Sequence, residues 1–241
     1  MKIKYEFTEE TKSVNGHILH RIRRLSDNKL GGFIEKEDNL SHKGECWVGG
    51  NACVYGNARV YDNAQVLYKA IIKDNAKIFG NAKVSCEAEI HGNAQICGCA
   101  HIHGNAVIYG NARISGEAEV YDNAWVSGNA KVYDYTEVYN NALVCDDAIV
   151  KDVAKVYGNA RIGEHANVFN KAKVYGNAKI YGYAWIHGHA KVYGNAKVYN
   201  DASVREDAQV YNNAEVYNQA IVKGFADICG NTVVNDIYYQ A

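Results

Sequence analysis

Every sixth residue from Val48 to Val234 is Val or Ile, 32 consecutive positions without a shift of register. Two residues earlier in the hexad, from Ala52 to Thr232, Ala stands at 29 of 31 places, with Thr136 and Thr232 as the substitutes. The consensus is Ala-x-Val-Tyr-Gly-Asn, seen whole in Ala172-Lys173-Val174-Tyr175-Gly176-Asn177. This period rules out a helix, because six residues do not return a side chain to one face at 3.6 per turn. In Ala-x-Val-Tyr the side chains alternate in, out, in, out, as in a strand with one buried face. Gly-Asn, or Asp-Asn at Asp62-Asn63 and Asp122-Asn123, then turns the chain. Gly and Asn suit this because they tolerate left-handed backbone. Strands this short, with no hairpin loops between them, find partners only as stacked coils, each rung bonded to the rungs above and below.

The hexad resembles that of the left-handed β-helix proteins, the superfamily of the trimeric hexapeptide transferases, whose triangular coils hold three hexads. Val14-Asn15-Gly16-His17 through His20-Arg21-Ile22-Arg23, and Leu30-Gly31-Gly32-Phe33-Ile34-Glu35, resemble the YdcK-like group of bacterial and phage hexapeptide-repeat proteins. The expected fold is all-β: a single-stranded left-handed parallel β-helix of about ten triangular coils with a small N-terminal β cap. The left hand comes from the resemblance alone, since general crossover chirality favours the right. The expected division is a cap over 1–46, the repeat over 47–234 and a tail over 235–241. Within the cap, Ile3–Phe7 and Ile18–Ile22 alternate like two strands, with Asn15-Gly16 as a turn. Ile237-Tyr238-Tyr239 is the candidate for closing the other end. Unpaired rung edges invite stacking unless they are covered.

Composition narrows the function classes. A net charge of -1 gives no global field toward nucleic acid or an anionic membrane. No stretch approaches the roughly 20 apolar residues that span a bilayer. The opening MKIKYEFTEETK lacks the apolar core of a secretory signal. The seven cysteines are scattered, with Cys97-Gly98-Cys99 as the only close pair, so reduced thiols in a cytoplasm are expected rather than disulfides or zinc. The excess of Tyr over Phe, 19 to 5, places rings where hydroxyls reach water.

An eighteen-residue coil sorts the outward positions into three faces. One carries Tyr121, Tyr139, Tyr157, Tyr175, Tyr193 and Tyr211 in a column, and the next carries Tyr181, Tyr199 and Tyr217. The third is mixed, with Tyr61, Phe79, Phe169, His187 and Arg205 among its members. Such columns stabilise a stack by ring packing, and they also offer a platform for a ligand. Residues 155–199 hold seven basic residues against one acid, Glu164, and follow an acidic stretch over 117–152. Lys155, Lys173 and Lys191 stand beside Tyr157, Tyr175 and Tyr193, an arrangement able to take phosphates and stack bases, or to dock an acidic zone of a second copy. Outward Val107, Trp125 and Leu143, with Trp185 on another face, point to an interface.

Acyl transfer is the chemistry that the superfamily resemblance implies. Its enzymes use a histidine base and a groove between protomers, and His101 and His103, flanking Ile102, are the candidates here. Those enzymes also break their coils with a site-shaping loop, which the repeat lacks over 48–234. No metal site is expected, since three converging imidazoles are needed and the spacing shows none. No cofactor is expected. The preferred reading is therefore a non-enzymatic, cytoplasmic, homo-oligomeric rod that presents Tyr, Lys and Asn ladders to a partner protein or small nucleotide. The phage side of the resemblance implies one form of this, an inhibitor of a host defence protein or a sponge for its nucleotide signal.

Overall fold

A computed structural model describes residues 3–236 of the chain. The chain falls into two compact units, Met1–Glu117 and Ala118–Ala241. Both are built from the same all-β solenoid coil. Strands of two residues recur every six, and each pairs in parallel with the strand one coil on, as Lys155↔Lys173 and Val156↔Val174 do. Three strands per coil give three parallel sheets and a triangular section. In the first unit, sheet I contains Trp47–Val48, sheet II Cys53–Val54 and sheet III Arg59–Val60. In the second, sheet I contains Lys155–Val156, sheet II Arg161–Ile162 and sheet III Trp185–Ile186.

The hexad explains the section. Inward Val and Ile, such as Val174 and Ile186, are fully buried, as are the inward Ala residues of each hexad, such as Ala172 and Ala184. β-Branched side chains fit the pleated wall, while Ala is small enough for the crowded entry to each strand. Thr136 takes an Ala position and is equally buried, and its hydroxyl donates to the Tyr133 carbonyl at 2.7 Å, so no polar atom is stranded.

Each corner needs left-handed backbone at its first turn residue. Gly supplies it at Gly158 (φ 71°), and Asn or Asp at Asn140 (φ 57°) and Asp146 (φ 58°). The polar residues do a second job there. The Asp146 carboxylate accepts the Glu164 amide at 3.0 Å, and the Glu164 carboxylate accepts the Gly182 amide at 2.8 Å, so one rung caps the turn of the next. At Gly182 (φ 69°) a Cβ would lie 2.5 Å from the Asn200 nitrogen, so close rung packing as well as conformation selects Gly.

The N-terminal cap is a hairpin. Strands β1 (Tyr5–Val14) and β2 (His17–Arg24) pair antiparallel, and Asn15 (φ 50°) and Gly16 (φ 84°) make the tight turn expected from their types. A third strand, β3 (Leu30–Ile34), pairs antiparallel with β2 and parallel with Cys53–Val54, joining the hairpin to sheet II of the first unit. The sequence did not announce this strand, because Gly31-Gly32 weakens a strand signal. The glycine is needed there: a Cβ on Gly31 would sit 2.5 Å from Ile22 Cγ1. Leu40 then bridges Val60, so coil pairing starts ahead of the hexads. The expected closing segment Ile237–Tyr239 lies outside the described residues.

Candidate functional site

In the second unit, the corner between sheets I and II gathers most of the side chains singled out above. The parallel register repeats one residue type at one height on successive rungs. Tyr121, Tyr139, Tyr157, Tyr175, Tyr193 and Tyr211 therefore stack, with centroids 4.8 to 4.9 Å apart and planes within 1° to 4°. Two residues beyond the Tyr column runs an amide ladder. Asn123 donates to Asn141, and so on through Asn159, Asn177, Asn195 and Asn213 to Asn231, at 3.0 to 3.3 Å. The Tyr181–Tyr199–Tyr217 column forms a second stack at the far edge of sheet II.

Cations line this corner on both sides. On sheet I, Lys155, Lys173 and Lys191 are in register. Lys155 donates to Glu137 at 2.6 Å, an ion pair that raises its pKa. Lys173 and Lys191 have no carboxylate partner among the described residues. On sheet II, across the corner, Arg161 and Lys179 are in register, followed by Lys197, which donates to Glu215 at 2.7 Å. Arg161 and Lys179 complete the site but were not placed in it from the sequence. The signal available was the hexad itself: they stand six residues after Lys155 and Lys173, one strand across the turn.

Burial, first, and the neighbouring rings raise the pKa of Tyr157 and Tyr175, and burial with Asp227 and Cys229 raises that of Tyr193. Burial and the Glu137 charge push Tyr121 to about 12. The column is thus un-ionised at neutral pH, and the hydroxyls of Tyr157, Tyr175 and Tyr193 keep a proton to donate. Its ring faces, by contrast, are covered by one another. A base has no free face to stack on within the column, so a ligand meets edges and hydroxyls.

The remaining expected residues are spread over several surfaces. Trp125 pairs with Leu143 on sheet II of the second unit, Trp185 lies on sheet III, and Val107 belongs to the first unit, paired with Glu89. His101 and His103 stand close in the first unit, with ring centroids 5.0 Å apart and tilted by 50°. His187 stacks on Phe169 at 4.8 Å, and burial with the nearby Arg205 lowers its pKa. Cys97 and Cys99 are free thiols. No group of three His, Cys, Asp or Glu side chains able to hold a metal occurs among the described residues.

Comparison with known families agrees with this architecture. Residues 52–68 match the family model described as YdcK beta solenoid repeat. No curated protein matches the chain. The matched segment, in the first unit, holds the strands Cys53–Val54, Arg59–Val60 and Gln65–Val66, one from each sheet. The chain is thus an all-β solenoid protein, one segment of which, residues 52–68, matches the YdcK beta solenoid repeat.

Proposed function

We propose that this protein is a non-enzymatic binding scaffold, acting in the cytoplasm, that self-associates and presents the corner ladders of its second unit to a phosphate-bearing anion. The observation that carries the reading is the cation set at that corner. Lys173 and Lys191 stand one rung apart without a carboxylate partner among the described residues, and Arg161 and Lys179 flank the same corner from the next sheet. Like charges held one rung apart raise the local potential and favour an anion. The neutral Tyr hydroxyls and the outer hydrogen-bonding positions of the Asn amides add directional contacts. Because the Tyr faces are mutually covered, the recognised part is the phosphate rather than a base. A sponge for a nucleotide signal of a host defence system is one form this function takes.

Calorimetric titration of the full chain with inorganic triphosphate and with ATP tests it. Binding is expected, weakening with salt and falling at least about tenfold in Lys173→Glu/Lys191→Glu. Absence of heat with either probe in the parent protein refutes the anion site. Binding that Lys173→Glu/Lys191→Glu and Arg161→Glu/Lys179→Glu both leave intact moves the site elsewhere.

A further inference from the structure

Sheet III of the second unit differs from its two neighbours in one respect. After Lys131 on its first rung, its central outward column over the next five rungs reads Ile149, Asn167, Trp185, Ser203, Ile221, with no charge. Over the same coils sheets I and II carry mainly Lys and Arg at this position. Trp185 is 51% exposed at the middle of the column. An uncharged strip centred on an exposed Trp, where the central columns of the neighbouring sheets are charged, is the composition of an interface core.

On two of these rungs, those of Ile149 and Ser203, the edges of the same face carry opposite charges. Alternation places the residue two before each central position on one edge and the residue two after on the other. Asp147 and Asp201 fall on the first edge, and Lys151 and Arg205 on the second. On the outer rung, Asp147 accepts the Asn129 amide at 3.0 Å, and the Lys151 amine lies over the Phe169 ring at 5.3 Å. The rung of Ser203 is less satisfied. The Asp201 side chain has no partner among the described residues. Arg205 Nε is buried without a hydrogen bond, while the side chain as a whole is 35% exposed, and among the described residues its one carboxylate neighbour is Glu206 at 3.9 Å.

Geometry then selects one occupant. A second copy related by a two-fold axis parallel to the solenoid axis sets every rung against itself and exchanges the two edges. Ile149 meets Ile149, Trp185 meets Trp185, and each acidic edge meets a basic one. Identical rung spacing in the two copies keeps this match over successive rungs. A two-fold axis along the strands would instead set the basic edge against the basic edge. An isologous contact needs this kind of self-complementarity.

We propose that sheet III of the second unit is a self-docking face, on which two copies pair in parallel around Trp185 and Asp201 of each copy bonds Arg205 of the other. This rests on the self-association in the proposed function and is independent of the anion site.

Sedimentation equilibrium of the full chain tests it with a charge exchange, circular dichroism confirming that each variant is folded. The parent is expected to be a dimer. Asp201→Arg and Arg205→Asp alone each place like charges together and weaken it at least about tenfold. Mixing the two single variants restores a dimer, now a heterodimer, and Asp201→Arg/Arg205→Asp restores the homodimer. A parent that is monomeric or trimeric overturns this dimer, and the monomer also removes self-association from the proposed function. A dimeric parent whose mass neither single variant changes overturns the face alone, as does a weakened pair that mixing does not rescue.

Discussion

Glu35 grips the hairpin and the first full coil with its two carboxylate oxygens: Oε1 meets His17 Nδ1 at 2.8 Å, and Oε2 accepts the Gly56 amide at 2.6 Å. His17 opens β2, Glu35 follows β3, and Gly56 begins the turn after Cys53–Val54, so one side chain ties three segments far apart in sequence. The hydrogen bond with His17, helped by the Gly56 amide and opposed by partial burial, lowers the Glu35 pKa. A carboxylate with a lowered folded pKa contributes stability that is present above its unfolded value and is lost as pH falls through the folded one. Glu35→Gln is therefore expected to cost about 1–2 kcal/mol at pH 7 and to flatten the acid limb of the stability profile. Urea midpoints between pH 7 and pH 3 check this; parallel profiles for the parent and the variant contradict it.

The Tyr column makes a pairwise prediction. Tyr175 and Tyr193 stack at 4.8 Å with planes 1° apart. A double-mutant cycle with Tyr175→Ala and Tyr193→Ala should return a coupling of about 0.5–1.5 kcal/mol, the usual worth of an aromatic pair beyond its area. Additive single costs, measured by thermal or urea unfolding, show that the rings pack without coupling.

The Asn ladder is expected to contribute per link. Asn177 accepts from Asn159 and donates to Asn195, both at 3.0 Å. Asn177→Ala breaks both links at an exposed site, so the expected loss is about 1 kcal/mol. Asn177→Asp keeps an acceptor for Asn159 but loses the donor to Asn195, and should fall between the parent and Ala. An Asp variant less stable than the Ala variant at neutral pH runs against this order.

The turn geometry predicts a steeper penalty. Gly182→Ala combines a φ of 69° with a Cβ 2.5 Å from the Asn200 nitrogen. Left-handed backbone costs an L-residue roughly 1–2 kcal/mol before any clash is counted. A loss of about 2 kcal/mol or more is expected, with hydrogen-exchange protection lowered first at the amides of the adjoining rungs. Unchanged protection there indicates that the rungs part to admit the methyl group.

The fold was legible because the hexad repeats the same inward pair, Ala and Val or Ile, on every strand, and a period of six leaves few other ways to bury it. Column membership was legible for the same reason: Lys155, Lys173 and Lys191, and the Tyr stack, follow from counting eighteen. Adjacency across a corner was not. Arg161 and Lys179 join Lys173 only once the turn between sheets I and II is drawn. The strand Leu30–Ile34 was hidden by two glycines, one required by the closeness of Ile22 and the other by that of the Ala52 carbonyl. Glu35 was silent because His17 and Gly56 lie eighteen and twenty-one residues away from it. The stacked rings were anticipated as a platform for bases, but their spacing closes the faces that a base would use.

The triangular section of the second unit has a consequence for valency. In a triangle, the corner between two sides stands opposite the third side, so the corner of sheets I and II, with its Lys and Tyr columns, lies as far as the section allows from sheet III. Occupying sheet III leaves that corner untouched. Two copies joined there would turn their cationic corners outward in opposite directions, too divergent for one small anion to bridge. Such a pair cross-links separate ligands rather than clasping one, and its avidity rises only for a target that is itself repetitive or surface-bound.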